Sequence, residues 1–250
     1  MTNIDVIIQA RMGSSRLRGK ILKKISNKTI LEHVIDRLKL CKLVNNIIVA
    51  TTTSKLDDKI EIICKEKNFK YFRGDENNVL DRYYQTAKHF KCSNIIRITS
   101  DCPLIDPNII DDMAKIYIEK NMSFLDMDYH NTDPGAKGGF PDGSNCTIFS
   151  FEQLVESKKN CNSDYGKEHV CVYLQKKYIK NERYKIKLNE YKNLNLKKMH
   201  LSVDTINDYN LIKYVIENIN IKNFTIHDIL DYLNNNSYLL EIHNHYFKKS

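Results

Sequence analysis

Several things are scarce or missing in this sequence, and each absence narrows what the chain can be. Tryptophan does not occur, and 250 residues contain only eight glycines and four prolines. No Gly/Pro-rich linker, internal repeat or heptad array divides the chain, so the expectation is one domain over 1–250. The seven cysteines are odd in number and include no C-x-x-C pair. That argues against a disulfide framework or a cysteine zinc site; Cys41, Cys64 and Cys171 lie inside apolar patterns and read as reduced thiols of a cytoplasmic protein. No apolar run is long enough to span a bilayer, and no charged segment leads into an apolar one at the start, so neither a membrane partner nor a signal peptide is expected. The formal net charge is +8, from lysines spread along the chain. It permits nucleic-acid binding, but no binding motif or aromatic-interleaved basic stripe accompanies it, so no nucleic-acid partner is expected. There is no Ser-His-Asp arrangement and no metal-binding histidine pair.

What is present is concentrated in residues 4–22. Val6, Ile7 and Ile8 form a short apolar run that reads as a buried strand. The run ends at Gln9 and Ala10, and a loop follows with Arg11, Gly13, Ser14, Ser15, Arg16, Arg18, Gly19 and Lys20. A buried strand opening into a small, flexible, cationic loop is how α/β proteins hold polyphosphates: glycine lets backbone N–H groups approach the oxygens, and fixed cations neutralise them. It is not a Walker A loop, because Ile21 follows Gly19-Lys20 where Ser or Thr is needed. Nor is it a dinucleotide fingerprint, since Gly-x-Gly-x-x-Gly is absent.

Downstream the pattern alternates. Thr29 and Glu32 have capping-box spacing, and an apolar stripe through Ile30, Val34 and Leu38 predicts a helix, with His33 beside it as a structural histidine. Strands are predicted at 46–52, 70–73 and 94–99, and helices at 57–67 and 77–90. Four strands alternating with three helices predict a mostly parallel sheet with helices on both faces. The loop at Arg11, the Thr51-Thr52-Thr53 run, Gly74-Asp75 and Asp101 then all fall at the carboxyl ends of strands, where such sheets bind ligands. Asp101 reads equally as a turn cap or as a Mg²⁺ ligand, whereas Asp106 with Pro107 is a helix start. The stretch 121–142, rich in Gly and Pro toward its end, reads as a wall or lid of the site, with Asp142 as an orienting group or a turn residue. Beyond it, Cys146-Thr-Ile-Phe-Ser opens the second half, with helices expected at 151–159 and 168–177 and strands at 183–188 and 198–203. Asp204 follows at a strand end, where an aspartate also reads as an N-cap; helices at 208–217 and 225–233 close the chain.

The segment 8–20, Ile-Gln-Ala-Arg-Met-Gly-Ser-Ser-Arg-Leu-Arg-Gly-Lys, resembles the first motif of the cytidylyltransferases that activate acidic sugars, such as CMP-Kdo and CMP-sialic acid synthetases. The likeness is strongest to the subgroup named after a spore coat polysaccharide protein. Arg18 stands where that subgroup usually has proline. Asp101-Cys-Pro-Leu-Ile, Phe140-Pro-Asp-Gly, Glu168-His-Val and Val203-Asp-Thr resemble further elements. The resemblance implies an α/β, Rossmann-like (GT-A-like) nucleotidyltransferase domain with a mostly parallel sheet and a small acceptor and dimerisation lobe. Residues 1–120 would be the nucleotide-binding half and 121–250 the acceptor-binding and dimerisation half. It implies transfer of CMP from CTP to an acidic sugar or phosphorylated acceptor, in surface-glycan synthesis, with Mg²⁺ as cofactor and a homodimer as the assembly. Arg11, Lys20 and Arg16 would hold the triphosphate, and Asp101 and Asp204 the metal. Ala10, Gly13, Ser14, Gly74 and Asp75 would contact the nucleotide. Asp142, Glu168 and His169, with Lys137 and Lys167, would lie toward the acceptor. Two alternatives stand beside it: a GT-A-type glycosyltransferase using Asp126-Met-Asp128 as its metal element, and a basic nucleic-acid-binding protein.

Overall fold

The structure, a computed structural model, describes residues 3–127, 141–181, 183–185, 194–196 and 199–240. It begins with β1 (Ile4–Gln9), followed by the cationic loop, a hairpin of two-residue strands β2 (Lys24–Ile25) and β3 (Lys28–Thr29), and α1 (Ile30–Leu38). Then come β4 (Asn46–Thr52), α2 (Asp58–Glu66), β5 (Lys70–Gly74), α3 (Val79–Phe90), β6 (Asn94–Thr99) and α4 (Pro107–Glu119). The second half holds β7 (Phe124–Asp126), β8 (Thr147–Ser150), α5 (Phe151–Asn160), α6 (Asp164–Glu168), α7 (Val172–Lys177), α8 (Ile206–Asn218) and α9 (Ile226–Asn235).

Six strands make one sheet in the order β5-β4-β1-β6-β8-β7. β5, β4, β1 and β6 run parallel, with Gln9 in register with Ala50 on one side and Thr99 on the other. Only β8 is reversed, pairing antiparallel with both β6 and β7. The predicted strands at 46–52 and 94–99 coincide with β4 and β6. Their apolar runs are continuous because parallel strands are covered on both faces. Ile4, Val6 and Ile8 pack with α1, α2, α4, α8 and α9, while Ile7 packs with α3, α5 and α7 on the other face. The chain walks outward from β1 to β5 with helices on the first face, then returns through α3 on the second face to β6. The direction of winding therefore reverses between β1 and β6, which opens a crevice at their carboxyl ends.

Caps fix the helix starts. Thr29 and Glu32 close the expected capping box at α1, and Asp106 accepts from Asn108 N with Pro107 in the first turn of α4. His33 is structural: its Nε2 lies 3.1 Å from Ile25 O. The single helix expected at 168–177 is corrected to two, because α6 ends at Glu168 and α7 begins at Val172. Glu168 thus closes a helix rather than opening one. The strands expected at 183–188 and 198–203 reduce, among the described residues, to bridges of Tyr184 with Met127 and of His200 with Asp142. Among the described residues no helix is long and apolar enough to cross a membrane.

Candidate active site

A cavity of about 500 Å³ lies at the crevice between β1 and β6. The cationic loop forms its rim, and its shape follows from a few bonds. The buried Asp57 carboxylate, just ahead of α2, accepts from Met12 N at 2.7 Å and from Thr52 Oγ1. Gly19 takes a left-handed φ of 66°, which an L side chain rarely adopts. It starts a 3-10 turn over Lys20–Leu22 that sends Lys20 inward. Arg18, the departure from the subgroup pattern, is exposed and does not line the cavity.

The Lys20 ammonium joins two carboxylates that are far apart in sequence. Its Nζ lies 2.6 Å from Asp101 Oδ2 and 2.8 Å from Asp204 Oδ1, with the Lys20 side chain only 10% exposed. Burial alone would lower the ammonium's pKa, but Asp101 and Asp204 outweigh it and hold the group above its ordinary value. Val203 N donates to Asp101 O at 2.8 Å, so the backbone itself sets the two aspartates side by side. Neither aspartate is occupied as a cap. Thr205 and Asp208 form the capping box of α8, leaving the Asp204 carboxylate to Lys20 and to Arg16 Nη2 at 2.8 Å. Arg11 Nη2 reaches Glu168 Oε1 at 3.4 Å from the facing wall. Cys102, next to Asp101, is buried, which pushes its thiol well up and leaves it inert as a nucleophile.

The opposite wall is built around Asp142. Its backbone exchanges bonds with Met199 and Leu201, and its carboxylate takes Asn145 Nδ2 at 3.2 Å, Ser202 Oγ at 3.3 Å and His200 Nδ1 at 3.4 Å. Gly143 is required here: its φ is 91°, and a Cβ would stand 2.3 Å from Ser202 N. Of the residues singled out in the sequence, Ala10, Arg11, Gly13, Ser14, Arg16, Lys20, Asp101, Asp142, Glu168, His169 and Asp204 all line the cavity. Gly74 and Asp75 do not. Asp75 Oδ1 instead accepts from Asn77 N and Asn78 N, and Gly74 packs under Arg82, with a Cβ there meeting Arg82 Cγ at 3.0 Å. Lys167 is not on the cavity and pairs with Asp164 at 3.3 Å; Lys137 lies outside the described residues.

Sequence reasoning missed Arg82, from α3, and Arg97, from β6, which both line the cavity. Arg97 sits within a strand otherwise spelled as apolar, and that placement was the available signal. Gln9 also lines it; its Oε1 is buried and has no hydrogen-bond partner among the described residues. Asp126, the first aspartate of the Asp-x-Asp spelling, is 1% exposed, accepts from Thr147 Oγ1 and Gln175 Nε2, and does not line the cavity. Asp128 lies outside the described residues.

A doubly wound sheet with a cationic loop and two converging carboxylates at its switch point defines a nucleotide-binding α/β transferase. Comparison with known proteins sharpens the class. The cytidylyltransferase family profile matches residues 6–225. The spore coat polysaccharide biosynthesis protein SpsF of Bacillus subtilis is 30% identical over 220 residues, 85% of this chain and 86% of its own. A 3-deoxy-manno-octulosonate cytidylyltransferase of Solibacter usitatus is 35% identical over a shorter stretch, 42% of this chain and 41% of its own. A solved cytidylyltransferase from Leptospira borgpetersenii superposes with a TM-score of 0.84 at 32% identity, over 96% of this chain and 97% of that one. The chain belongs to the cytidylyltransferase family, and it is a CTP-using nucleotidyltransferase.

Proposed function

We propose that this protein transfers CMP from CTP to an acidic sugar or a phosphorylated acceptor, releasing pyrophosphate, as a Mg²⁺-dependent step of surface-glycan synthesis. The observation that carries this is the convergence of Asp101 and Asp204 on one cationic atom within a loop-rimmed cavity. Two carboxylate oxygens aimed at a single cation, beside a phosphate-binding loop, fit a Mg²⁺ site of one or two carboxylates completed by phosphates and water. Asp101 and Asp204 would hold the ion. When bound, Mg²⁺ neutralises charge on the phosphates and polarises the α-phosphate.

The rest of the chemistry is positioning and charge stabilisation, as phosphoryl-type transfer requires. An acceptor oxygen attacks the α-phosphorus in line, and the bond to pyrophosphate breaks. Lys20, Arg16 and Arg11 would bind the triphosphate and stabilise the charge that builds on the leaving pyrophosphate. Gly13 and Ser14 bring loop backbone to the phosphates, and Ala10 borders the nucleoside. Arg82, Arg97 and His169, which also line the cavity, suit an anionic acceptor. The name of the Bacillus relative, a polysaccharide biosynthesis protein, supports the glycan setting.

The test is pyrophosphate release with Mg²⁺, each of the four nucleoside triphosphates, and a panel of acidic sugars and phosphorylated acceptors. Release is expected with CTP, only when an acceptor is present, and falls by roughly 100-fold or more in Asp101→Asn, the usual scale for losing a charge-stabilising group. A wild-type protein that binds no CTP, with or without Mg²⁺, overturns the proposal.

A further inference from the structure

We infer that Lys20 is a built-in counter-ion that closes the Asp101–Asp204 pair to divalent metal until a nucleoside triphosphate draws it away, so that metal and nucleotide bind as a pair. The inference rests on the proposed metal role of that aspartate pair and adds to it an order of events that the side-chain geometry carries.

In the structure the place between the two carboxylates is taken by the Lys20 ammonium. Lys20 Nζ is 2.6 Å from Asp101 Oδ2 and 2.8 Å from Asp204 Oδ1, both within the range of strong charge-assisted bonds. A divalent ion shared by the same two oxygens must displace Nζ, and the displaced ammonium needs another partner, because its side chain is only 10% exposed. The neighbouring carboxylates do not offer one. Arg16 already engages Asp204, and Arg11 engages Glu168. All three loop cations that line the cavity are thus paired with carboxylates of the surrounding walls.

A triphosphate changes each of these pairings at once. Its oxygens supply the partners for Lys20, Arg16 and Arg11, and the carboxylates of Asp101 and Asp204 are left facing one another without their shared cation. That is the state with high affinity for a divalent ion. The move needs no backbone rearrangement. The Lys20 backbone is fixed in its turn by Lys23 N donating to Lys20 O and by Leu22 N donating to Gly19 O, at 3.0 Å each. The four-carbon stem carries the ammonium from carboxylates to phosphate by rotation alone. Coupling of this kind is reciprocal: whatever factor the nucleotide adds to metal affinity, the metal adds to nucleotide affinity.

The experiment is a Mn²⁺ titration of nucleotide-free protein, followed by electron paramagnetic resonance, in the wild type, Lys20→Met and Lys20→Gln. Melting temperature is read in parallel with increasing MgCl₂. The wild type is expected to bind Mn²⁺ weakly and to melt at a temperature that MgCl₂ hardly changes. Either neutral variant is expected to bind at least about tenfold tighter, one free-energy decade, and to gain melting temperature with MgCl₂. Adding Asp204→Asn to the variant should abolish the gain, which locates the ion. The wild-type titration also decides alone: saturable one-to-one binding at micromolar Mn²⁺ without nucleotide overturns the inference, as do neutral variants that bind no tighter than wild type. CTP binding is measured on the same samples. Protein that binds no CTP but shows the Lys20-dependent gain in Mn²⁺ affinity would overturn the nucleotide assignment, and with it the pairing of metal and nucleotide, and would leave Lys20 only as the counter-ion of the aspartate pair.

Discussion

Asp101 and Asp126 each follow an apolar stretch of strand, and the fold treats them in opposite ways. Asp101 stands at the switch point and meets a cation, Lys20, which is also shared with Asp204. Asp126, on the edge strand β7, takes its side-chain hydrogen bonds, among the described residues, from neutral donors, Thr147 Oγ1 at 2.9 Å and Gln175 Nε2 at 2.9 Å, and the charge of Arg183 acts on it less strongly than either. Burial pushes the Asp126 pKa up, against the pull of those hydrogen bonds and of the Arg183 charge. Position at a strand end therefore does not make a site by itself. The partner is what differs: Asp101 is hydrogen-bonded to a cation, whereas Asp126 is held by a hydroxyl and an amide.

Asparagine at each position should separate the two most widely. In Asp204→Asn, acceptor-dependent pyrophosphate release is expected to drop by about 100-fold or more. Its melting curve should shift by no more than about 1 kcal/mol, because Lys20 keeps Asp101 and the Arg16 partner is largely exposed. In Asp126→Asn the order reverses. A neutral amide there removes a buried charge, and Gln175 can turn its amide to suit, so stability should hold or rise and the rate should stay within about twofold. Steady-state kinetics beside urea melts reads both variants. Loss of activity in Asp126→Asn comparable to that of Asp204→Asn would break the comparison and return Asp126 to the chemistry.

Asp57 tests the middle ground, since its partners are neutral yet it touches the site. Its carboxylate fixes Met12 N at 2.7 Å and Thr52 Oγ1 from a position 1% exposed. Replacing it by alanine strands both donors, at a cost of about 2 kcal/mol. Because Met12 O also accepts from Ser14 N at 2.9 Å and Gly19 N at 3.2 Å and so ties the cationic loop together, CTP affinity should also fall, by about tenfold, or 1.4 kcal/mol. Calorimetric titration with CTP at a temperature where the variant remains folded measures the second effect. Unchanged CTP affinity would show that the loop keeps its shape without this anchor.

The same contrast explains what the sequence made legible. β4 and β6 could be read to the residue because strands covered on both faces are spelled as continuous apolar runs bounded by polar ones. The starts of α1 and α4 were written in local signals, Thr29 with Glu32 and Asp106 with Pro107. The loop residues Arg11 to Lys20 stood out because cations, glycines and serines cluster there directly after a strand, and family resemblance then assigned Asp101 and Asp204. What remained hidden was non-local. The reversed direction of β8 is not encoded in Thr147–Ser150, since four apolar and small residues read the same either way. The two-residue strands β2 and β3 are too short to carry a period. The pairing of Lys20 with Asp101 and Asp204 spans 81 and 184 residues and has no local trace. Arg82 looks like an ordinary surface arginine on a helix, and only the packing of α3 over the sheet puts it on the cavity. Gly74 and Asp75 show the converse: a strand end with suitable residues that the fold uses for a turn beneath Arg82.

The smallest effect is expected at the wall opposite the loop, where the charge complement is a histidine. Asp142 accepts from His200 and holds the imidazolium above its ordinary value of 6.5, with Asp208 and Asp204 adding to the pull and burial opposing it. In return His200 draws the Asp142 carboxyl below its ordinary 3.8. The raised histidine contributes fully below 6.5 and is lost as pH climbs through its folded value. The depressed carboxylate contributes fully above 3.8 and is lost as pH falls through its own. The pair is therefore at full strength between those two ordinary values and weakens toward neutral and alkaline pH. With side chains 33% and 50% exposed, its share of stability should stay under about 1 kcal/mol. A proton NMR titration of the His200 ring reads the tie directly. Asp142→Asn should bring the His200 midpoint down, because the largest upward pull is gone and burial, which lowers it, remains. A midpoint that does not move would mean that the two more distant aspartates hold the imidazolium, and that Asp142, like Asp126, belongs to the scaffold.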